Sequence, residues 1–143
     1  MMTAPTYTAE ARVTGGRNGR GRTADGRLDL ALRLPKEMGG DGEGVNPEQL
    51  FAIGYAACFG STMSVLGQRR GLAADDAEID ARAMLIPTEG GPFKLGVELD
   101  VTLPSLADAE AVDLGRAAHR LCPYSSAIRG NVDVAIVVNG TSL

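Results

Sequence analysis

The feature that most constrains this chain is a two-residue hydrophobic period that recurs in five separate runs. In "FKLGVELDVTLP", Phe93, Leu95, Val97, Leu99, Val101 and Leu103 occupy alternate positions. Successive side chains of a strand point to opposite faces, so this spacing predicts a strand with one buried and one wet face. "AEIDARAMLIP" carries a similar pattern on the other side of the turn sequence "TEGGP", and "NVDVAIVV" aligns Val132, Val134, Ile136 and Val138. Near the start, "YTAEARV" aligns Tyr7, Ala9, Ala11 and Val13, and "RLDLALRLP" aligns Leu28, Leu30, Leu32 and Leu34. Asp25-Gly26 just before the latter run is a turn signal, so these two runs are expected to form an opening hairpin. Half-buried strands of this kind predict antiparallel pairing.

Two segments break the alternation. The first opens with "NPEQ": Asn46 suits an N-cap, Pro47 the first helical position, and Gln49 completes a capping box. It is expected to run to "GQRRG", where Arg69 and Arg70 complement the negative helix end and Gly71 stops it. The second is expected to open at "PSLAD" with Ser105 as cap and to be disturbed at Pro123. Strands, long helix, strands, helix, strand is the order of an α+β fold rather than a βαβ repeat. A chain of 143 residues suits a single domain, 1–143, with "EMGGDGEGV" as a flexible connector inside it.

Composition narrows the function classes. No run is expected to approach the ~18 apolar residues of a membrane span, and "MMTAPTYTAEARV" has no basic-then-apolar leader. A cytoplasmic protein is therefore expected. A net charge of −4 without a long basic tract argues against nucleic acid or an anionic membrane as partner. Two cysteines and one histidine do not make a common zinc site, and no metal is expected.

The cysteines stand in distinctive places. Cys58 lies within the long helix, with Phe51, Tyr55, Thr62 and Val65 on its side, beside a nearly bare stripe of Ala57, Gly60, Ser64 and Gly67. The stripe predicts close approach by another element. A buried thiol is most often an inert small hydrophobe; a reactive one needs a lowered pKa, because the thiolate is the nucleophile. The helix N-terminus does not supply this, since Cys58 lies roughly 18 Å along the axis from Asn46 and the dipole's influence fades within a turn. A cation must come from elsewhere, and "GGRNGRGR" is the crowded source. Cys122 precedes Pro123, which pushes it out of helical geometry and gives it the mobility a resolving thiol needs. His119 falls on roughly the same side as Cys122, either as a structural histidine or as a proton carrier. Composition and spacing alone fit a dithiol redox protein and a plain α+β binding domain equally.

"NPEQLFAIGYAACF", "CPYSSAIRGNVDV" and "TGGRNGRGRTADGRLDL" resemble the three signature stretches of the organic hydroperoxide resistance (Ohr) branch of the Ohr/OsmC superfamily. The resemblance runs essentially from end to end. It implies an OsmC-like fold, antiparallel sheets packed on a long central cysteine-bearing helix, in an intertwined homodimer with two active sites at the subunit interface. That interface would account for the bare stripe. It also implies a peroxidase that reduces alkyl and fatty-acid hydroperoxides to alcohols. Cys58 in "GYAACF" matches the peroxidatic cysteine and Cys122 in "CPYS" the resolving cysteine. Arg17, the first arginine of "GGRNGR", matches the arginine that stabilises thiolate and peroxide, with Arg20 and Arg22 as rivals; Glu48 matches the carboxylate that orients it. Turnover would pass through a Cys58 sulfenate and a Cys58–Cys122 disulfide. No bound cofactor is implied, only an external lipoyl-type dithiol, dihydrolipoamide or a lipoylated protein. Phe51, Tyr55 and Phe93 are expected around an apolar substrate pocket, which Ile53 and Gly60, departures from the usual motif, would reshape. Two other readings remain: the sister OsmC branch with broader stress function, and a non-catalytic acyl or aromatic ligand binder of the same fold.

Overall fold

A computed structural model describes residues 3–143. The chain forms two compact units, one ending at Leu50 and the other running from Phe51 to Leu143.

In the first unit, β1 (Ala11–Thr14), β2 (Arg20–Thr23) and β3 (Asp29–Ala31) form an antiparallel sheet in that order. The expected hairpin is therefore a three-stranded sheet, and the extra strand comes from the arginine loop itself. β2 reads Arg-Gly-Arg-Thr, with no apolar period to announce it; backbone pairing on both sides defines it. The Asp25-Gly26 turn joins β2 to β3, with Gly26 at φ 73° and the Asp25 carboxylate accepting from Arg27 N–H and the Thr23 hydroxyl. The first alternating run is strand only from Ala11 onward, and Tyr7, Val13 and Leu28 are exposed rather than turned into a core.

Helix α1 (Pro47–Arg70) starts and stops where its sequence signals lie. Gln49 N–H donates to Asn46 Oδ1 at 2.9 Å, and the Gln49 side chain accepts from Asn46 N–H at 3.0 Å, a reciprocal capping box. At the far end Gly71 takes φ 68°, its N–H bonds Gln68 O, and Leu72 N–H bonds Gly67 O, a Schellman closure. By length and a mean hydropathy of 1.5 over 18 residues, α1 is apolar enough to cross a membrane, contrary to the expectation that no segment comes near this. Tyr55, Phe59, Met63 and Leu66 are buried in a protein core instead, whereas Ile53 and Val65 of the same helix are exposed.

That core belongs to the second unit. β4 (Glu78–Ile86), β5 (Lys94–Thr102), β6 (Asp133–Val138) and β7 (Thr141–Ser142) form one sheet in sequence order. Val97, Leu99, Val101 and Leu103 from one face of β5 and its extension join Ile136 and Val138 of β6 against α1 and α2 (Asp108–Leu121). β4 and β5 pair antiparallel in full register from Glu78↔Thr102 to Ile86↔Lys94. β5 and β6 pair parallel, because α2 and α3 (Pro123–Ile128) carry the chain back to the starting end of β5 between them. An alternating strand has the same period whichever way its neighbour runs, so the pattern that found β6 did not give its direction.

The bare stripe of α1 is occupied by its own chain. A Cβ on Gly67 would lie 2.9 Å from the Ala74 methyl carbon, and one on Gly60 would lie 3.4 Å from Ile79 Cδ1. Ser105 does not cap α2: its hydroxyl donates to Asp76 at 2.5 Å, and the helix begins only at Asp108. Asp108 and Glu110 then place negative charge in the first turn, where the helix dipole favours it.

Candidate active site

Arg17 and Glu48 lie in the first unit, 31 positions apart. Arg17 sits in a 3-10 turn, Gly16–Asn18, between β1 and β2. The glycines around it are a steric requirement. Gly15 and Gly16 take φ 73° and 56°, and a Cβ on Gly19 would fall 1.7 Å from the Thr14 carbonyl oxygen. The turn aims the guanidinium at the second residue of α1, where Nη1 donates to Glu48 Oε2 at 2.8 Å and Nη2 to Oε1 at 2.7 Å. This two-pronged pair uses the planar fork that lysine lacks. Arg17's hydrogen bonds hold the Glu48 carboxyl below its usual range against an opposing push from burial; the same bonds hold the Arg17 guanidinium above its own. Of its rivals, Arg20 donates its Nε to Asp29 at 2.7 Å, and the Arg22 guanidinium lies close to Gly26.

The two cysteines meet in the second unit. Cys58 is half-buried on α1 and Cys122 fully buried, 64 positions along the chain, with Sγ···Sγ at 3.6 Å. The Cys122 thiol donates toward the Cys58 sulfur. Cys122 sits in neither helix: with φ −59° and ψ 124° it ends α2 and precedes α3, whose first residue is Pro123. A disulfide needs about 2.05 Å between sulfurs, so both thiols are free but within a small displacement of bonding.

Surroundings within the unit do not ionise Cys58. Burial pushes its thiol up, the Tyr124 backbone N–H pulls it down, and the hydrogen bond and charge of Cys122 push it up again. The thiol therefore stands above its ordinary value, opposite to the lowered pKa expected of a peroxidatic cysteine. A polarisable sulfur wedged among aromatic and aliphatic side chains loses hydration that the thiolate needs.

Phe51 and Tyr55 of α1 and Tyr124 of α3 form an aromatic cluster. Both Phe51–Tyr55 and Tyr55–Tyr124 pack edge-on at 6.1 Å between centroids. The Tyr124 ring lies over Gly54, where a Cβ would be in ordinary contact with it at 3.5 Å. Phe93 does not join the core; it is 56% exposed just before β5. Ile53 is 69% exposed, so its bulk points outward rather than toward the sulfurs, and Val65, expected on the Cys58 side, is also exposed.

Ser125 escaped the sequence reading. It is fully buried, its Oγ lies 2.5 Å from Tyr55 Oη, and it also meets His119 Nδ1 at 2.9 Å. The signal was present in the spacing: His119, Cys122 and Ser125 fall three apart across Pro123, but a serine beside a proline reads first as a turn or cap residue. Among the described residues, no group of three His, Cys, Asp or Glu side chains is placed to hold a metal.

An α+β fold that brings a free thiol on a long apolar helix against a second one between two shorter helices defines a dithiol protein of a recognisable class. The OsmC-like protein family model matches residues 40–137. An organic hydroperoxide resistance protein of Xanthomonas axonopodis pv. citri is 45% identical over 134 residues, covering 92% of this chain and 94% of the relative. Among solved structures, an organic hydroperoxide resistance protein from Legionella pneumophila superposes with a TM-score of 0.90 at 45% identity, covering 94% of this chain and 98% of that one. The organic hydroperoxide resistance protein OhrB of Bacillus subtilis gives 0.85 at 40% identity, covering 94% and 100%. The chain belongs to the OsmC-like family, in its organic hydroperoxide resistance branch.

Proposed function

We propose that this protein is a cysteine-based peroxidase that reduces organic hydroperoxides to alcohols. The observation that carries the reading is the contact between a half-exposed and a fully buried thiol at 3.6 Å, with no disulfide between them. Cys58 thiolate attacks the terminal peroxide oxygen; the O–O bond breaks, the alkoxide leaves and takes a proton from solvent to become the alcohol, and Cys58 becomes a sulfenic acid. Cys122 condenses with that sulfenate, releasing water and stopping further oxidation. A lipoyl-type dithiol, free or carried on a lipoylated protein, then reopens the disulfide by exchange.

Chemistry sets the remaining roles. Charge builds on the departing alkoxide, so a fixed cation lowers the barrier most where it is stronger in the transition state than before it. We assign that cation to Arg17. A guanidinium brought to Cys58 also supplies what the thiol's own surroundings do not, a counter-charge that favours the thiolate. Glu48 orients the guanidinium through its two terminal nitrogens and carries no proton. Phe51 and Tyr55 favour bulky alkyl and fatty-acid peroxides over hydrogen peroxide; the same role for Phe93 would need a partner surface, given its exposure. The protein is proposed to act in the cytoplasm as a homodimer, a state that the exposed Val13, Leu28, Ile53 and Leu121 support.

Consumption of cumene or fatty-acid hydroperoxide by the purified protein with dihydrolipoamide tests the reading. Wild type should turn over, Cys58→Ser should not, and Cys122→Ser should reduce one equivalent and then overoxidise. Equal rates with hydrogen peroxide would favour the OsmC-type stress protein. An acyl ligand bound equally well by Cys58→Ser, without turnover in wild type, would mean a binding protein.

A further inference from the structure

Cys122 owes its place to a joint rather than to a helix, and a joint can open. The residue sits between α2 and α3, and its fully buried thiol has one hydrogen-bond partner, the Cys58 sulfur. α3 has only six residues. A helix that short does not persist by itself, since even good helix formers need roughly 12–15. Contacts outside α3 must hold it in place, and Cys122 with it.

Three hydrogen bonds do this, and two of them meet at one serine. Ser125, in the first turn of α3, has no solvent contact. Its Oγ lies 2.5 Å from Tyr55 Oη on α1 and 2.9 Å from His119 Nδ1 on α2. Tyr55 stands one turn before Cys58, and His119 one turn before Cys122, so a single hydroxyl ties α3 to the approaches of both thiols. Burial, with the Arg129 charge adding to it, holds His119 below its ordinary value, so the ring is neutral near pH 7. Its Nδ1 then accepts the Ser125 proton while the serine oxygen accepts from Tyr55, and no buried side-chain nitrogen or oxygen among the described residues is left without a partner. The third bond answers a missing donor. Continuing α2 would bring the N–H of residue 123 to the His119 carbonyl, but Pro123 has none. Arg129, just past the end of α3, donates its Nη2 to that carbonyl at 2.6 Å. α3 is thus tied to His119 near its start and at its end, with Cys122 at the hinge between.

We propose that Ser125 is a positioning residue for disulfide closure: through Tyr55 and His119 it holds the α2–α3 joint so that the Cys122 sulfur stays against Cys58. The joint can then turn about Cys122 but not swing away. Without the hydroxyl, α3 moves on the joint, the thiol leaves the contact, and every closure must first bring it back. The property at stake is the effective concentration of one thiol at the other. The inference rests on the peroxidase reading only for the event that first oxidises Cys58.

Equilibration with glutathione measures that concentration without peroxide. One protein thiol displaces a glutathione thiol from the glutathione disulfide, and the other displaces the second. The two protein sulfurs are oxidised to a disulfide, their hydrogens leave on two reduced glutathiones, and the equilibrium constant is the effective concentration. Ser125→Ala should lower it about 5- to 100-fold, the range for a buried hydrogen bond whose partners are left unsatisfied. Gly71→Ala is the control: it strains a left-handed backbone 13 residues past Cys58, and should lower the urea midpoint without moving the equilibrium. A Ser125→Ala protein with the wild-type effective concentration overturns the proposal. So does an equal fall in Gly71→Ala, since general stability is then being read. A second measurement needs no variant to fold. In the reduced wild type the Ser126 amide, bonded to the Cys122 carbonyl at 2.9 Å, should exchange with solvent within about tenfold of the Cys122 amide, bonded to the Ala118 carbonyl at 2.7 Å. Exchange of Ser126 at the free-chain rate, with Cys122 protected, would show a joint that opens freely and would overturn the proposal. Absence of hydroperoxide turnover with these results intact would overturn the peroxidase reading alone.

Discussion

Arg17 and Glu48 show how a surface turn can hold a charge in place. Two hydrogen bonds at 2.7 and 2.8 Å fix the guanidinium plane, whereas Arg20 is spent on Asp29. Arg17→Ala should therefore slow hydroperoxide reduction by roughly 10²–10³, the usual cost of losing one preorganised transition-state donor, while Arg20→Ala should change it by less than about threefold, within the spread of ordinary surface substitutions. Stopped-flow oxidation of Cys58 separates the two; the reverse ranking would move the role to Arg20. The Glu48 carboxyl is held low, so its contribution to stability is present above its ordinary value of 4.5 and lost as pH falls through the lower folded value. Arg17 is partly exposed, which keeps that contribution under about 1 kcal/mol. Glu48→Gln should lower the urea midpoint slightly at pH 7 and not at all in strong acid. An equal difference at both pH values would show that packing rather than charge is lost.

Among elements, α1 was the most legible. Its first turn was written in Asn46, Pro47 and Gln49 and its end in Gly71, because helix ends leave backbone groups that only certain residues satisfy. Gly71→Ala should cost about 1 kcal/mol for the left-handed backbone alone, since nothing lies within 4 Å of the added methyl. Gly67→Ala should cost about 1–3 kcal/mol by crowding Ala74. Thermal or urea unfolding of both variants checks this, and a neutral Gly67→Ala would mean that the Ala74 loop gives way freely. β4 and β5 were equally plain because their apolar side chains alternate with more exposed ones, Val97, Leu99 and Val101 of β5 being buried and Ile79, Ala81 and Ala83 of β4 half-buried. β2 was hidden because its residues are polar on both faces, and the parallel direction of β6 because alternation carries no direction. The two thiols that meet could be read from their motifs. The buried Ser125 could not, because its importance lies in partners from two other helices, Tyr55 and His119, that sequence spacing does not bring together.

At the scale of the whole molecule, closing a disulfide between Cys58 and Cys122 would tie a 64-residue separation into a loop. Chain entropy gives such a link about 4 kcal/mol against the unfolded state, and the sulfurs already touch. Oxidised protein should unfold at higher urea than reduced protein; a lower midpoint would mean that native strain outweighs the lost chain freedom. Cys122 also decides how that closure is made. Its N–H bonds back to Ala118 and its carbonyl accepts from Ser126, so two ladders end on one residue without overlapping. The sulfur is mounted on a swivel. Its travel of about 1.5 Å to bonding distance can be shared between one side chain and one joint, so a bond between the two sulfurs would close without unwinding a helical turn.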